Sequence, residues 1–367
     1  RDRSVSRGLG DVYKRQALSN WDAGMDMYIY GKLGNLTMTK EGINVLMTNL
    51  TGKVPPILQR LDYIRFNGEA AGYLHDLTLT GLFHTGAGMV KTDVMMSIDE
   101  QSMSRTYSGS VASADLDLGK LLNQEKKFGK VDFNVELKGF NYKNRYPESY
   151  IKGIISSFEY SQYQYENIML DGVYKDGGFN GRLSMDDANG SVQIDGNFNV
   201  AKTIPDFNLK ASVKNLRPHD LHLSDKYENA SISLGLTADF TGKSIDDMNG
   251  RISLDSLQLN APDEGGCFLD NLTITAGQVS GEKELRINSS FMTAVIRGDY
   301  SYHTIPASVV KTVQRYIPSL LTIKDNMPEP HNNFQFDICL ENAEVLSKLF
   351  QIPLELSLIH ISEPTRH

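Results

Sequence analysis

Apolar and polar residues alternate along most of the stretch from residue 168 to residue 213. Successive side chains of a β-strand point to opposite faces of a sheet, so this pattern predicts strands with one apolar face and one solvated face. Two turn-like sequences divide the stretch, Asp-Gly-Gly at 176–178 and Asp-Asp-Ala-Asn-Gly at 186–190. Asn-Gly is suited to the positive φ of a tight hairpin. The stretch therefore predicts an antiparallel meander.

The alternation extends over most of the chain. It is looser over residues 21–51, where Ile43, Val45 and Met47 occupy every second position, and residues 54–61 are predicted to form a loop. Further strands are predicted at residues 74–83, 90–98, 131–137, 232–240, 252–259, 269–275, 285–288, 292–300 and 334–340. Between positions 254 and 257 the apolar positions shift by one residue, which predicts a β-bulge.

In three segments the apolar and polar residues do not alternate, and short helices are predicted there. Asp115 or Asp117 is placed to cap the first of them, and Gly129 is expected to end it. The second carries apolar residues at helical spacing. The first predicted helix lies within residues 114–127 and includes Leu118, Leu121 and Leu122, and the other two cover residues 305–320 and 341–350.

An aliphatic-x-Gly-x-aromatic pattern recurs four times, with its glycine at Gly81, Gly172, Gly196 and Gly298. Each glycine occupies an apolar-facing position, where it leaves space that a large ring can cover and lets a strand bend. The sequence therefore predicts a mainly β fold: a long, curved sheet of predominantly antiparallel strands with two or three short helices.

A one-sided apolar sheet must be covered, and three coverings remain open. A second sheet would make a sandwich, and closure would make a barrel with its apolar side turned inward or outward to lipid. An open groove would expose more than the few hundred Å² of contiguous apolar surface usual for a soluble monomer, so it would need an apolar occupant. Acyl chains meet that need, at about 0.8 kcal/mol per buried CH₂.

Composition narrows the partners of this 367-residue chain. Its formal net charge of −8 argues against nucleic acid as a partner. The sequence contains no apolar run of 18 residues, the minimum for a membrane-spanning helix.

Residues 1–16 and 357–367 are out of character with the rest and are expected to be foreign, so we expect an internal fragment. The expected segments are 17–109, a β segment; 110–304, the main sheet; and 305–356, a helix-strand-helix continuation.

A search for chemistry in the sequence finds little. His219, Asp220 and His222 lie close together, but no further ligand nearby completes a metal site, so a solvated loop is expected. Cys267 and Cys339 are not in a C-x-x-C pair and are expected to be buried thiols, with a disulfide left open. No nucleotide-binding, hydrolase or zinc-protease motif is present. We therefore expect no enzyme activity, no catalytic residue, no metal and no cofactor.

Three sequence stretches carry a resemblance to a known family. YENIMLDGVY at 165–174 is followed by FNGRLSMDDANG at 179–190, and DLDLGKLL at 115–122 precedes VDFNVELKG at 131–139. LRINSSFMTAVIRGDY at 285–300 leads into a predicted helix that ends YIPSL at 316–320. Together they resemble the repeats of TamB proteins of Bacteroidetes, a branch of the AsmA-like family, over residues 110–350 and more loosely over 17–109.

The resemblance implies an elongated, curved, taco-like β-sheet with an apolar inner face, which forms a groove that spans the periplasm in a parent protein anchored in the inner membrane. It also implies an outer-membrane partner, a barrel protein of the BamA type, and a role in moving phospholipid and supporting outer-membrane assembly. The membrane anchor and the C-terminal domain of the family are not found in this sequence, so docking and anchoring are assigned to no residue.

The expected groove is lined by apolar residues of the central meander and the strand after it, and its expected ligand is the acyl chains of phospholipid. Two alternatives remain: a fragment of an outer-membrane β-barrel, and a secreted β-sandwich that binds glycans or acts as an adhesin. The candidate lining residues are Val192, Ile194, Phe198, Val200, Phe207, Leu209, Val213, Ile232, Leu234 and Leu236.

Overall fold

The structure is a computed structural model of the chain. It divides into two compact units, residues 1–187 and 188–367. The residues that it describes are 16–19, 28–51, 54–73, 75–99, 101–102, 104–141, 148–225, 228–261, 266–301, 333–342 and 359–366.

The first unit is an antiparallel meander with short helices inserted in it. Each strand pairs with the next along the chain, with one exception: Ser104–Ala114 pairs with Phe128–Asn141 across the two-residue strand Leu116–Asp117. Its elements are β1 (Gln16–Ser19), β2 (Tyr28–Thr39), α1 (Lys40–Thr51), α2 (Pro56–Gln59), β3 (Tyr63–Tyr73), β4 (Asp76–Thr85), β5 (Gly88–Asp99), β6 (Ser104–Ala114), β7 (Leu116–Asp117), α3 (Leu118–Leu122), β8 (Phe128–Asn141), β9 (Glu148–Tyr160), β10 (Tyr163–Lys175) and β11 (Gly178–Asp187).

The second unit is also an antiparallel meander, in which each strand pairs with the next. A short 3₁₀ helix, Ile245–Asp247, precedes the strand Asn249–Asn260. Its strands are β12 (Gly190–Asn199), β13 (Asp206–Leu216), β14 (Ser231–Thr241), β15 (Asn249–Asn260), β16 (Cys267–Val279), β17 (Glu282–Ser289), β18 (Met292–Asp299), β19 (Asn333–Leu340) and β20 (Ile359–Arg366). The prediction of a mainly β, antiparallel fold with short helices is confirmed.

Turn chemistry sets the hairpin between β10 and β11. Asp176 and Gly177 have φ values of 51° and 77°. Two successive positive φ values are the geometry of a two-residue hairpin turn, and they bring Lys175 opposite Gly178. The turn predicted at 176–178 is therefore confirmed.

The predicted bulge lies in β15. Gly235 pairs with Asp255 while Ser233 pairs with Gln258, so β15 carries one residue more than β14 between the two pairs. The extra residue is accommodated at Ser256, whose φ is 50°. Because the bulge absorbs one residue, Leu254 and Leu257 remain on the same face despite their odd spacing.

The N-cap of helix α3 is Asp117, one of the two aspartates predicted as candidates for that position. The Asp117 carboxylate accepts a hydrogen bond from the Lys120 backbone N–H at 2.8 Å. The prediction that Gly129 ends this helix is wrong, because Asn123 closes it in the left-handed conformation, with φ 58°.

Residues 40–51 form a helix, α1, and not a strand. Ile43 is 2% exposed while Val45 is 62% exposed. Side chains two residues apart lie on opposite sides of a helix, whereas Ile43 and Met47, four apart, share its buried side. The loop predicted at 54–61 is also corrected, because Pro56–Gln59 form one helical turn with proline at its start.

Several expectations concern segments that are described in part or not at all. The helices expected at 305–320 and 341–350 lie outside the described residues, apart from Glu341 and Asn342. In the expected foreign C-terminal segment, β20 pairs with β19. The division after residue 187 falls inside the segment expected to run from 110 to 304, and the segment boundaries themselves stay predictions.

Each unit has a packed core at one part of its apolar face. In the first unit, Ile43 of α1 and Leu121 of α3 pack together with Leu61, which lies just before β3, over the ends of strands. The Arg60 guanidinium group donates to the Leu121 carbonyl and ties the segment after α2 to α3. In the second unit, side chains of β16–β19 pack together around Phe334 and Phe336.

Candidate apolar binding face

The strand register brings most of the predicted groove residues onto one face of the second unit. On β12 and β13, Val192 lies opposite Val213 and Phe198 lies opposite Phe207, while Leu209 faces the glycine at position 196. Directly paired residues of antiparallel strands project on the same side. The alternation of β12 and that of β13 therefore combine into one apolar surface.

Strand β14 extends this surface. Leu234 lies opposite Val213, and Leu236 lies opposite Ala211, which in turn faces Ile194. A bulge between positions 213 and 216 keeps Ile232 on the same face by pairing it with Leu216. We call the surface formed by Val192, Ile194, Gly196, Phe198, Phe207, Leu209, Ala211, Val213, Leu216, Ile232, Leu234, Leu236, Ala238 and Phe240 the apolar face of β12–β14.

The residues of this face are chemically uniform. Every member is aliphatic, aromatic or glycine, so the face carries no charge on these strands. Phe207 and Phe240 stack at one end, with ring centroids 4.8 Å apart and planes at 20°. Charged side chains such as Asp195 and Lys210, which lie opposite each other, occupy the other side of the sheet.

None of the ten predicted residues, all of them described, is buried. Nearly all are half-buried, and Phe198 is 37% exposed. Val200 differs from the others, because it follows the end of β12 and is 59% exposed. Ile232 packs against a small buried cluster that includes Leu259. Each of the ten residues therefore keeps some contact with solvent.

The sequence reasoning missed how far the apolar rows continue. Leu236 lies opposite Leu254, which lies opposite Leu272. A parallel row runs from Ala238 to β19 with an apolar residue on every strand: Ala238, Ile252, Ile274, Ile287, Ala294 and Ile338. The alternation in β15–β19 was the available signal for these positions.

Two glycines of the recurring pattern lie where an aromatic ring of the neighbouring strand occupies the space of a side chain. A Cβ built on Gly81 would lie 2.5 Å from the Phe66 ring, and one on Gly172 would lie 2.4 Å from the Phe179 ring. Both rings belong to the neighbouring strand, whereas the sequence pattern paired each glycine with the aromatic residue two positions later. Glycine is required at both sites because a neighbouring ring fills the space of its missing side chain.

Glu284 is a buried carboxylate on the solvated side of β17, with only 6% of its surface exposed. It accepts a hydrogen bond from Arg297 Nε at 2.5 Å and another from Arg286 Nη2 at 3.0 Å. The Arg297 hydrogen bond is the main cause that lowers the pKa of Glu284, and Arg286 lowers it further against the effect of burial. A carboxylate held ionised in this way acts as an ion-pair partner, because a general acid needs a raised pKa.

The other candidate chemical groups do not assemble into a site. In the turn after β13, Arg217 forms a loose ion pair with Asp220 at 3.7 Å, and His219 Nδ1 lies 3.7 Å from the same carboxylate. Among the described residues, no group of three or more His, Cys, Asp or Glu side chains is placed to hold a metal ion. Cys267 and Cys339, both half-buried, are not joined in a disulfide. They are therefore more exposed than the fully buried thiols that the sequence predicted.

Comparisons with known proteins add no identification. No family model, no curated protein and no solved structure matches the chain. In the described part of the chain, no helix has both the length and the apolar character needed to cross a membrane.

Proposed function

We propose that the apolar face of β12–β14 binds the acyl chains of phospholipid, and that the protein carries phospholipid between the inner and outer membranes. One observation carries the proposal: a continuous, uncharged apolar surface on three paired strands, in which every residue except the buried Ala238 remains partly exposed to solvent. Because a soluble monomer rarely exposes a large contiguous apolar patch, such a surface needs an apolar occupant.

The chemistry of the face suits acyl chains. Each CH₂ group that leaves water gains about 0.8 kcal/mol, so a chain laid along the strands is held by many small contributions. Headgroups would remain in water at the edge of the face. A uniform aliphatic wall has no deep site at which a chain would stop, so movement is passive sliding, and discrimination between lipids is poor.

The proposed setting rests on the resemblance to the TamB branch of the AsmA-like family. That resemblance supports a periplasmic location, a parent protein anchored in the inner membrane, a barrel partner of the BamA type and a role in outer-membrane assembly. The protein acts as a carrier and not as an enzyme. No residue of the chain is assigned to anchoring or to the partner.

The first experiment is lipid extraction from the purified chain, followed by mass spectrometry. We expect co-purified phospholipid of mixed headgroup and acyl composition. Absence of bound phospholipid from correctly folded protein would contradict the proposal.

The second experiment places a charge on the face. Ile194→Asp should reduce bound phospholipid strongly and leave the far-UV circular dichroism spectrum unchanged, because a half-exposed side chain keeps part of its hydration. Leu234→Lys should act in the same way. Gln193→Asp is the matched control, because Gln193 is next to Ile194 on the same strand but points to the solvated side. Unfolding of Ile194→Asp, together with no bound lipid, would favour a packed β-sandwich.

A further inference from the structure

A depression of about 540 Å³ lies on the solvated face of the first unit, between β5, β6, β8 and β9. Its position follows from the register of these strands. Met95 lies opposite Ser108, Ser108 opposite Lys138, and Lys138 opposite Tyr150. A volume of this size is in the range of small-molecule sites, about 300–1,000 Å³.

Small and large side chains alternate around the depression. Strand β6 contributes Thr106 and Ser108, which are short and leave space between the neighbouring strands. Met95, Phe140 and Tyr150 stand at its sides, and Met95 is 49% exposed while Tyr150 is 56% exposed. A single exposed apolar residue is ordinary, whereas two exposed residues and the half-buried Phe140 around one depression on a solvated face make an apolar site.

The charge balance of the depression favours an anion. Its carboxylate, Glu148, is already paired with Lys175 at 2.8 Å. Within the residues that the structure describes, the Lys138 ammonium group has neither a hydrogen bond nor an ion pair. Lys120 and Lys130 of the same unit differ, because each pairs with an aspartate at 2.8–2.9 Å. The depression thus combines apolar walls with one uncommitted cation.

We propose that this depression binds a small amphipathic anion. Its flat apolar body lies between Met95 and Tyr150, and its anionic group accepts a hydrogen bond from Lys138 Nζ. The hydroxyl groups of Thr106 and Ser108 are available to polar substituents. The site is separate from the face proposed to bind acyl chains, because it is formed by β5, β6, β8 and β9 of the first unit, whereas that face is formed by β12–β14 of the second.

Two adjacent methionines provide the readout. Met95 and Met96 are both partly exposed and project from opposite faces of β5. In full-length protein with ¹³C-labelled methionine methyl groups, assigned through Met95→Leu and Met96→Leu, we would titrate naphthalene-2-sulfonate and its neutral isostere naphthalene-2-sulfonamide. We expect saturable shifts at Met95 but not at Met96, with the sulfonate binding about two- to fivefold more tightly, the contribution of an exposed ion pair.

Variants separate the two parts of the site. Lys138→Gln should abolish the preference for the sulfonate and leave the affinity for the sulfonamide unchanged, and Ser108→Trp should fill the depression and prevent binding of both. Lys91→Gln, on the same face but outside the depression, is the control that should keep the preference. The proposal is overturned if Met95 does not respond to either probe, if Met96 responds in its place, or if Lys138→Gln keeps the preference for the sulfonate. Should Ser108→Trp unfold the protein, the Lys138→Gln comparison decides alone.

Discussion

Two parts of the second unit share one sequence pattern but differ in how their apolar sides are covered. On β12–β14 the apolar side chains other than Ala238 are half-buried or exposed, and Phe198 is 37% exposed. On β16–β19 the same rows end in a packed cluster, where Phe334 and Phe336 are each 2% exposed and Ile296 is 3% exposed. Alternation therefore determines which face is apolar and leaves open whether that face becomes core or surface.

The difference arises from residues outside the regular rows. Tyr300, just after β18, packs against Phe334 with ring centroids 5.9 Å apart, and Met248, just before β15, joins the same cluster. Lys283 adds a hydrogen bond to the Tyr300 carbonyl and lies over its ring at 4.6 Å. These contacts hold a loop residue over the apolar rows of β16–β19, so the same type of surface becomes a core there.

The largest expected contrast comes from a buried charge. Ile296→Asp should destabilise the second unit by at least about 4 kcal/mol, because the carboxylate would have no water and no partner. Ile194→Asp on the apolar face of β12–β14 should lose less than about 1.5 kcal/mol. Urea denaturation followed by circular dichroism measures both, and equal losses would show that the two regions do not differ in packing.

A pair of phenylalanine truncations gives the next largest effect. Phe336→Ala should cost about 3–5 kcal/mol, the usual range for a fully packed ring. Phe207→Ala should cost about 1–2 kcal/mol, since the ring is half-exposed and its main packing partner is Phe240. Guanidinium denaturation midpoints provide the measurement. A loss at Phe207 as large as that at Phe336 would place Phe207 in a packed core.

Glu284 should make the packed region sensitive to acid. Its pKa is lowered in the folded state, chiefly by Arg297, so its contribution to stability is fully present above the ordinary glutamate value of about 4.3 and is lost as pH falls through the lower folded value. Glu284→Gln should cost about 1.5 kcal/mol at neutral pH, at the low end for a charged hydrogen bond because both guanidinium groups are half-exposed.

The pH profile is the critical measurement for Glu284. Denaturation between pH 2 and pH 6 should show a loss of stability in the wild-type chain that is smaller in Glu284→Gln. Asp195→Asn, on the solvated side of β12, is the control for general charge effects. Identical acid profiles for wild type and Glu284→Gln would show that the ion pairs of Glu284 do not contribute to the stability of this region.

The smallest contrast removes one methyl group from each region. Ile296→Val should cost about 0.5–1.5 kcal/mol, because the cavity cannot collapse in a packed cluster. Ile194→Val should cost less than about 0.5 kcal/mol, since water and neighbouring side chains fill the space. Differential scanning calorimetry on both variants tests this, and a larger loss at position 194 than at position 296 would reverse the comparison.

Some features of the molecule follow from short stretches of sequence. The hairpin at 176–178, the bulge at Ser256 and the cap at Asp117 depend on residues within a few positions of each other. The same holds for the facing of Val192, Ile194 and the other apolar positions of β12–β14, because the strand period is a local property of the backbone. These were predictable without knowledge of the fold.

Other features depend on contacts between residues far apart in the chain, which only the tertiary structure decides. Residues 40–51 alternate like a strand, yet they form a helix because Ile43 packs against Leu61 and the ends of distant strands. Glu284 meets Arg297, and Met95 and Tyr150 come to line one depression, only through the register of the sheet. Within the strands of β12–β14, the sequence thus determined the face to which each side chain points. The strand pairing decided what each side chain meets, since register and covering depend on the summed packing of many residues and not on any local pattern.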